Sequence, residues 1–159
     1  MSSQQHKIEF NFYYKKNLTL ARLIRWATRG KWSHISVTID GATWEAIGGR
    51  INRVVVSHKI DTYHTRKYAP DEIETKYLEC TEAEKQAVKY YLISIEGQRY
   101  DVGGVLAYLW PGFKFSDKKH FCSEIGSRVV EILTGKKMSD KLVTPSELYD
   151  VINAISDPV

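Results

Sequence analysis

The chain has 159 residues, 43% apolar and 26% charged, with ten Tyr, five Phe and four Trp; this is enough for one domain with a real core and excludes an intrinsically disordered chain. A formal net charge of +4 favours anionic partners, without choosing between nucleic acid, acidic polymer and lipid headgroup. Cys80 and Cys122 are too few for a disulfide framework and fit a reducing compartment, MSSQQHKIEF lacks the apolar segment of a signal peptide, and no run approaches the length of a membrane span. The expected location is therefore the cytoplasm at synthesis, with any work outside a cell following carriage in a virus particle or release at lysis.

KIEFNFYY (7–14) alternates, with Ile8, Phe10, Phe12 and Tyr14 on one face of a predicted strand. NLTLARLIRWATRG (17–30) predicts a helix with Leu20, Leu23, Ile24 and Ala27 inward, Arg22, Arg25 and Arg29 outward, and Gly30 as its stop. Residues 32–39 and 43–47 predict two strands joined by Asp40-Gly41, a tight-hairpin signal, and 51–58 a third. A loop is expected over 59–73 and a strand over 74–80.

Thr81 and Glu84 form a capping box at the head of a helix over 81–97, with Ala87, Val88, Tyr91, Leu92 and Ile95 as its buried stripe. YDVGGVLAYLW (100–110) predicts a short apolar helix stopped by Pro111-Gly112. A helix follows over 121–134, starting at or near Cys122, and the last runs over 144–155 with Thr144 as N-cap. The sum is an α+β domain spanning 1–159, with a mainly antiparallel sheet in its first half and helices in its second.

The chemistry starts in KWSHISVTIDGATWEA (31–46). A two-residue Asp-Gly loop pairs Ile39 with Ala42 and Ser36 with Glu45. His34, Ser36 and Glu45 then share one face, and Glu45 is the diagonal neighbour of His34, within reach of a long side chain. A carboxylate beside an imidazole fixes its tautomer and stabilises the imidazolium. The same residues also suit a polar hairpin face with no chemistry to perform. In FCSEIGSRVVEIL (121–133), Cys122 stands where unpaired N–H groups and the helix dipole favour a thiolate. The usual place of a free cysteine is as a small buried hydrophobe, the role expected for Cys80.

The order His34, Glu45, Cys122 resembles the circularly permuted papain-like cysteine hydrolases, relatives of the NlpC-type peptidoglycan peptidases. SHISVTI is similar to the family's His strand, WEA to the strand of its third residue, and FCSEIGSRVV to its nucleophile segment. YDVGGVL (100–106) and TPSELYD (144–150) extend the likeness over roughly residues 30–150. The resemblance implies a papain-like fold with Cys122 as nucleophile, His34 as general base and then acid, and Glu45 orienting His34. It also implies cleavage of an amide or peptide bond through a thioester, without metal or other cofactor, with cell-wall peptide slightly ahead of lipid substrates. Many unpermuted relatives carry His, Asn or Gln where this chain has Glu45.

Tyr100 and Asp101, by the same likeness, and Trp32, beside the His strand, are expected against substrate. Arg22, Arg25 and Arg29, with Lys31, Trp26 and Trp32, form a basic, aromatic patch for an anionic surface; no nucleic-acid-binding signature accompanies it. His6, His58 and His64 lack partners at metal-ligand spacing, and His120 reads as a loop residue. Two other functions stay open: a lipid-directed acyl hydrolase or acyltransferase on the same three residues, and a non-catalytic module binding an anionic partner through the arginines. The oligomeric state is not legible.

Overall fold

Alternation in the first strand has the expected consequence: Ile8, Phe10 and Phe12 are fully buried. In the computed structural model, residues 5–47, 50–55, 70–98, 122–138 and 143–156 are described, with the backbone alone at residues 20, 47, 50–55 and 122. The strands are β1 (His6–Tyr14), β2 (His34–Ile39), β3 (Ala42–Ile47), β4 (Arg50–Val55) and β5 (Glu72–Cys80). The helices are α1 (Thr19–Thr28), α2 (Glu82–Ser94), α3 (Cys122–Thr134) and α4 (Pro145–Ser156). The predicted helix over 100–110, residues 56–58 of the third hairpin strand and the loop over 59–69 lie outside the described residues.

The strands form one five-stranded sheet in the order β4-β3-β2-β1-β5. Every pairing is antiparallel. This is an α+β architecture, and its two sheet faces differ. Ile8, Phe10, Phe12, Ile35, Val37, Ile39, Trp44, Leu78 and Cys80 join Val88 and Leu92 of α2, Ile125, Val129 and Val130 of α3, and Leu148 and Ile152 of α4 in a single core. Asn11, Tyr13, His34, Ser36, Thr38 and Glu45 occupy the alternate positions of β1, β2 and β3 and so face the other way.

Local signals set the helix ends. Thr81 and Glu84 cap α2 reciprocally, and Thr144 and Glu147 do the same for α4, with N–H···O distances of 2.7 and 3.1 Å. Gly97 and Gly135 follow α2 and α3 with φ of 76° and 66°, the left-handed geometry that glycine adopts without cost. The inward stripe of α2 differs from expectation at one position. Ala87 is exposed and Lys85 is buried. The Lys85 stem covers apolar surface while its ammonium meets Glu82 at 2.9 Å and Asp40 at 3.7 Å. On α1, Ala21 and Ile24 are the buried positions, while Leu23 and Ala27 are only partly covered.

Helix α3 reaches the sheet through a glycine. A Cβ on Gly126 would lie 2.5 Å from Leu148 Cδ2 and 3.1 Å from Ile35 Cδ1. The absent side chain thus sets how closely α3 approaches both β2 and α4. Gly126→Val overpacks this contact and is expected to cost about 1–3 kcal/mol. Chemical denaturation monitored by circular dichroism would show the midpoint falling with an unchanged slope.

Candidate active site

The site begins at a turn. Asp40 and Gly41 both take positive φ, 49° and 76°, as a two-residue type I′ hairpin requires. Ile39 pairs with Ala42 and Ser36 with Glu45, the register expected from the sequence. His34 and Glu45 therefore share a face, and Nε2 of His34 stands 3.2 Å from Oε2 of Glu45. Both side chains are partly buried. With an Nε2–H donating to Glu45, Nδ1 becomes the basic nitrogen of the ring.

Around this pair lies a polar network that the sequence reading identified only in part. Tyr13 is the cross-strand partner of His34 on β1, and the two rings lie 5.4 Å apart at 36°. The Tyr13 hydroxyl shares a 2.7 Å hydrogen bond with Ser36 Oγ. Asn11 Nδ2 donates to Ser36 Oγ at 3.4 Å and to Thr38 Oγ1 at 3.1 Å. Thr75 donates to Asn11 Oδ1 at 2.7 Å, and Thr38 and Thr43 share a 2.7 Å hydroxyl bond. Ser36 is 2% exposed and Thr38 7%. Such buried hydroxyls persist because each has a partner.

Burial pushes the Tyr13 phenol up to about 12; the Ser36 hydrogen bond opposes the shift and the Glu45 charge adds to it. The phenol is thus a neutral group beside the His34–Glu45 pair. Its signal was present in the strand alternation, where residues 9, 11 and 13 oppose the apolar positions 8, 10 and 12. The longer-range pairing of β1 with β2 was needed to bring Tyr13 to His34.

Cys122 is the first residue of α3; its thiol lies outside the described residues. One turn further on, Gly126 stands over Ile35, the neighbour of His34. Ile35 and His34 point to opposite faces of β2. A Cys122–His34 contact therefore has to be made around the first residues of that strand. Tyr100, Asp101, His58, His64 and His120 lie outside the described residues. Trp32 sits in the core rather than on an open surface: it is 3% exposed, with Phe12 and Tyr149 ring centroids at 6.0 and 5.4 Å.

The three arginines divide. Arg22 and Arg29 are exposed, whereas Arg25 turns back, its guanidinium 4.5 Å from the Tyr14 ring and donating to the Lys16 carbonyl at 3.3 Å. His6 bonds with Glu82 and Lys85 at 2.9 and 3.2 Å. Cys80 is buried, and burial pushes its thiol up. Among the described residues, no group of three or more His, Cys, Asp or Glu could hold a metal ion, and no helix is long and apolar enough to cross a membrane. No protein-family model matches the chain, nor does any curated protein sequence.

The raised phenol gives a signed pH test. Tyr13 ionises near its ordinary pKa of about 10 in the unfolded chain and near 12 when folded. Its contribution is complete below about pH 10 and is lost as pH rises towards 12. The Tm difference between wild type and Tyr13→Phe should be constant from pH 7 to 9. It should narrow above pH 10 in scanning calorimetry.

Proposed function

We propose that this protein is a cysteine hydrolase that cleaves an amide or peptide bond, with Cys122 as nucleophile, His34 as base and acid, and Glu45 orienting His34. The observation that carries the reading is the 3.2 Å His34–Glu45 contact on one face of the hairpin. A carboxylate-oriented imidazole is the half of a triad that a polar hairpin face does not need. The position of Cys122 as first residue of α3 supports the other half. There the leading N–H groups have no intrahelical partner, and the dipole favours an anion. The resemblance of SHISVTI, WEA and FCSEIGSRVV to the permuted papain-like hydrolases supports the same assignment.

In this reading Nδ1 of His34 takes the thiol proton, and Glu45 stabilises the resulting imidazolium through Nε2–H. The thiolate adds to the carbonyl carbon, and the oxyanion forms against the first N–H groups of α3. Collapse expels the amine, which takes its proton from His34, and leaves a thioester on Cys122. Water, deprotonated by the same imidazole, hydrolyses the thioester and restores the thiol. Peptides of the cell-wall type are the first substrates to test. Acyl esters of lipids come second, since the acyl-enzyme chemistry is shared.

Iodoacetamide at pH 6 should alkylate Cys122 more than about tenfold faster than the buried Cys80, as read by peptide mass spectrometry. His34→Ala should reduce that preference and lower turnover by about 10²–10⁴-fold, while Glu45→Gln should lie between His34→Ala and wild type. Equal slow labelling of both cysteines, with activity unchanged in Cys122→Ala, overturns the reading. In a crystal structure, the Cys122 sulfur should stand within about 4 Å of a His34 ring nitrogen.

A further inference from the structure

The outward face of α1 is independent of the hydrolase reading. Arg22, Trp26 and Arg29 fall within an arc of about 60° at 100° per residue, opposite the buried Ala21 and Ile24. Trp26 is 71% exposed, an unusual position for the largest apolar side chain. Leu18 and Leu23, flanking it, are only partly covered. Arg22 and Arg29 are exposed, and among the described residues neither has an ion-pair partner.

Charge is segregated on the same element. From Lys15 to Ile39 the sequence carries six Lys or Arg and no Asp or Glu. The rest of the chain has seventeen Lys or Arg against all nineteen Asp or Glu, so it is net acidic. The cationic character of the protein therefore resides in α1 and its flanks. Of those six cations, Lys15 and Lys31 pair with Asp71 and Glu72, and Arg25 is held against Tyr14. Lys16, Arg22 and Arg29 remain exposed, and the two arginines lie beside Trp26 on the outward face of α1.

We infer that this face of α1 docks on an anionic lipid bilayer, with Trp26 at headgroup depth and Arg22 and Arg29 on lipid phosphates. A polyanion such as RNA would satisfy the arginines but would gain little from Leu18 and Leu23. A bilayer interface takes the indole, the leucine edges and the cations together. The helix is already folded against the core, so docking does not depend on ordering a peptide at the surface. Four residues separate Arg29 from His34, so a docked α1 holds the candidate site near the membrane plane.

Co-sedimentation of the full chain with phosphatidylcholine vesicles containing about 30% phosphatidylserine tests this. Binding is expected to these vesicles and not to pure phosphatidylcholine, and to weaken steeply with salt. Arg22→Gln with Arg29→Gln should weaken it by about 10–30-fold, at roughly fivefold per cation near an anionic surface. Trp26→Ala should weaken it several-fold, and brominated lipids should quench wild-type fluorescence more than that of Trp26→Phe. All substituted side chains are exposed, and an unchanged Tm confirms that each variant is folded. Equal binding to neutral vesicles, or undiminished binding by the double arginine variant, overturns the proposal. So does displacement by millimolar inorganic phosphate, which would indicate a small-anion site, or tighter binding to single-stranded RNA than to the vesicles.

Discussion

Two left-handed residues, Asp40 and Gly41, fix the parity of the whole hairpin. A slip of one residue would turn Glu45 into the core and push Trp44 out. The forces holding the register are unequal. Trp44 is almost fully buried, and removing an indole's 150–250 Å² from water is worth roughly 4–6 kcal/mol at about 25 cal/mol per Å². A partly exposed His–Glu contact is worth about 1 kcal/mol or less. The His34–Glu45 pair is thus positioned by the hydrophobic residue beside it rather than by its own attraction. Its geometry would survive loss of either partner's charge.

The same parity divides the sheet into two solvents. Towards the helices, Phe10, Phe12, Ile35 and Val37 make an apolar layer tight enough that α3 needs Gly126 to fit. Away from them, Asn11, Tyr13, Ser36, Thr38, Thr43 and Thr75 form a hydroxyl and amide network with fixed partners. Water competes weakly for those groups, so hydrogen bonds among them are firm and directional. Tyr13 occupies the boundary: its ring lies against His34 and its hydroxyl is tied to Ser36. A single strand, β2, supplies both layers through alternate side chains.

Much of the architecture was legible because local chemistry and long-range packing agree. Thr81/Glu84 and Thr144/Glu147 announce their helices, Asp40-Gly41 announces its hairpin, and alternation in residues 8–12 announces the buried face. Trp32 precedes the His strand and carries an aromatic ring, which by themselves suit a substrate contact. Only the position of Tyr149 and Phe12 around it shows that it belongs to the core. Ala87 looked buried by periodicity, yet Lys85 takes the inward place because Asp40 and Glu82 receive its ammonium. Arg25 was grouped with Arg22 and Arg29 by sign of charge, and Tyr14 separates it from them. The polar neighbourhood of His34 was legible across the hairpin and not across β1, because strand order is a property of the tertiary fold.

Strand order also has a kinetic meaning. β2, β3 and β4 follow one another and pair through short connections, so the hairpin bearing His34 and Glu45 is built from local contacts. β1 sits between β2 and β5, and its own partner on the far side places His6 against Cys80. That pairing closes a loop of more than seventy residues, and Cys122 arrives later still in the chain. Non-local closure is slow relative to hairpin formation. During synthesis, His34 and Glu45 are therefore paired on their hairpin well before α3 can pack on the opposite, apolar face of the sheet, so a nascent chain carries the imidazole–carboxylate contact before Cys122 has a helix to stand on.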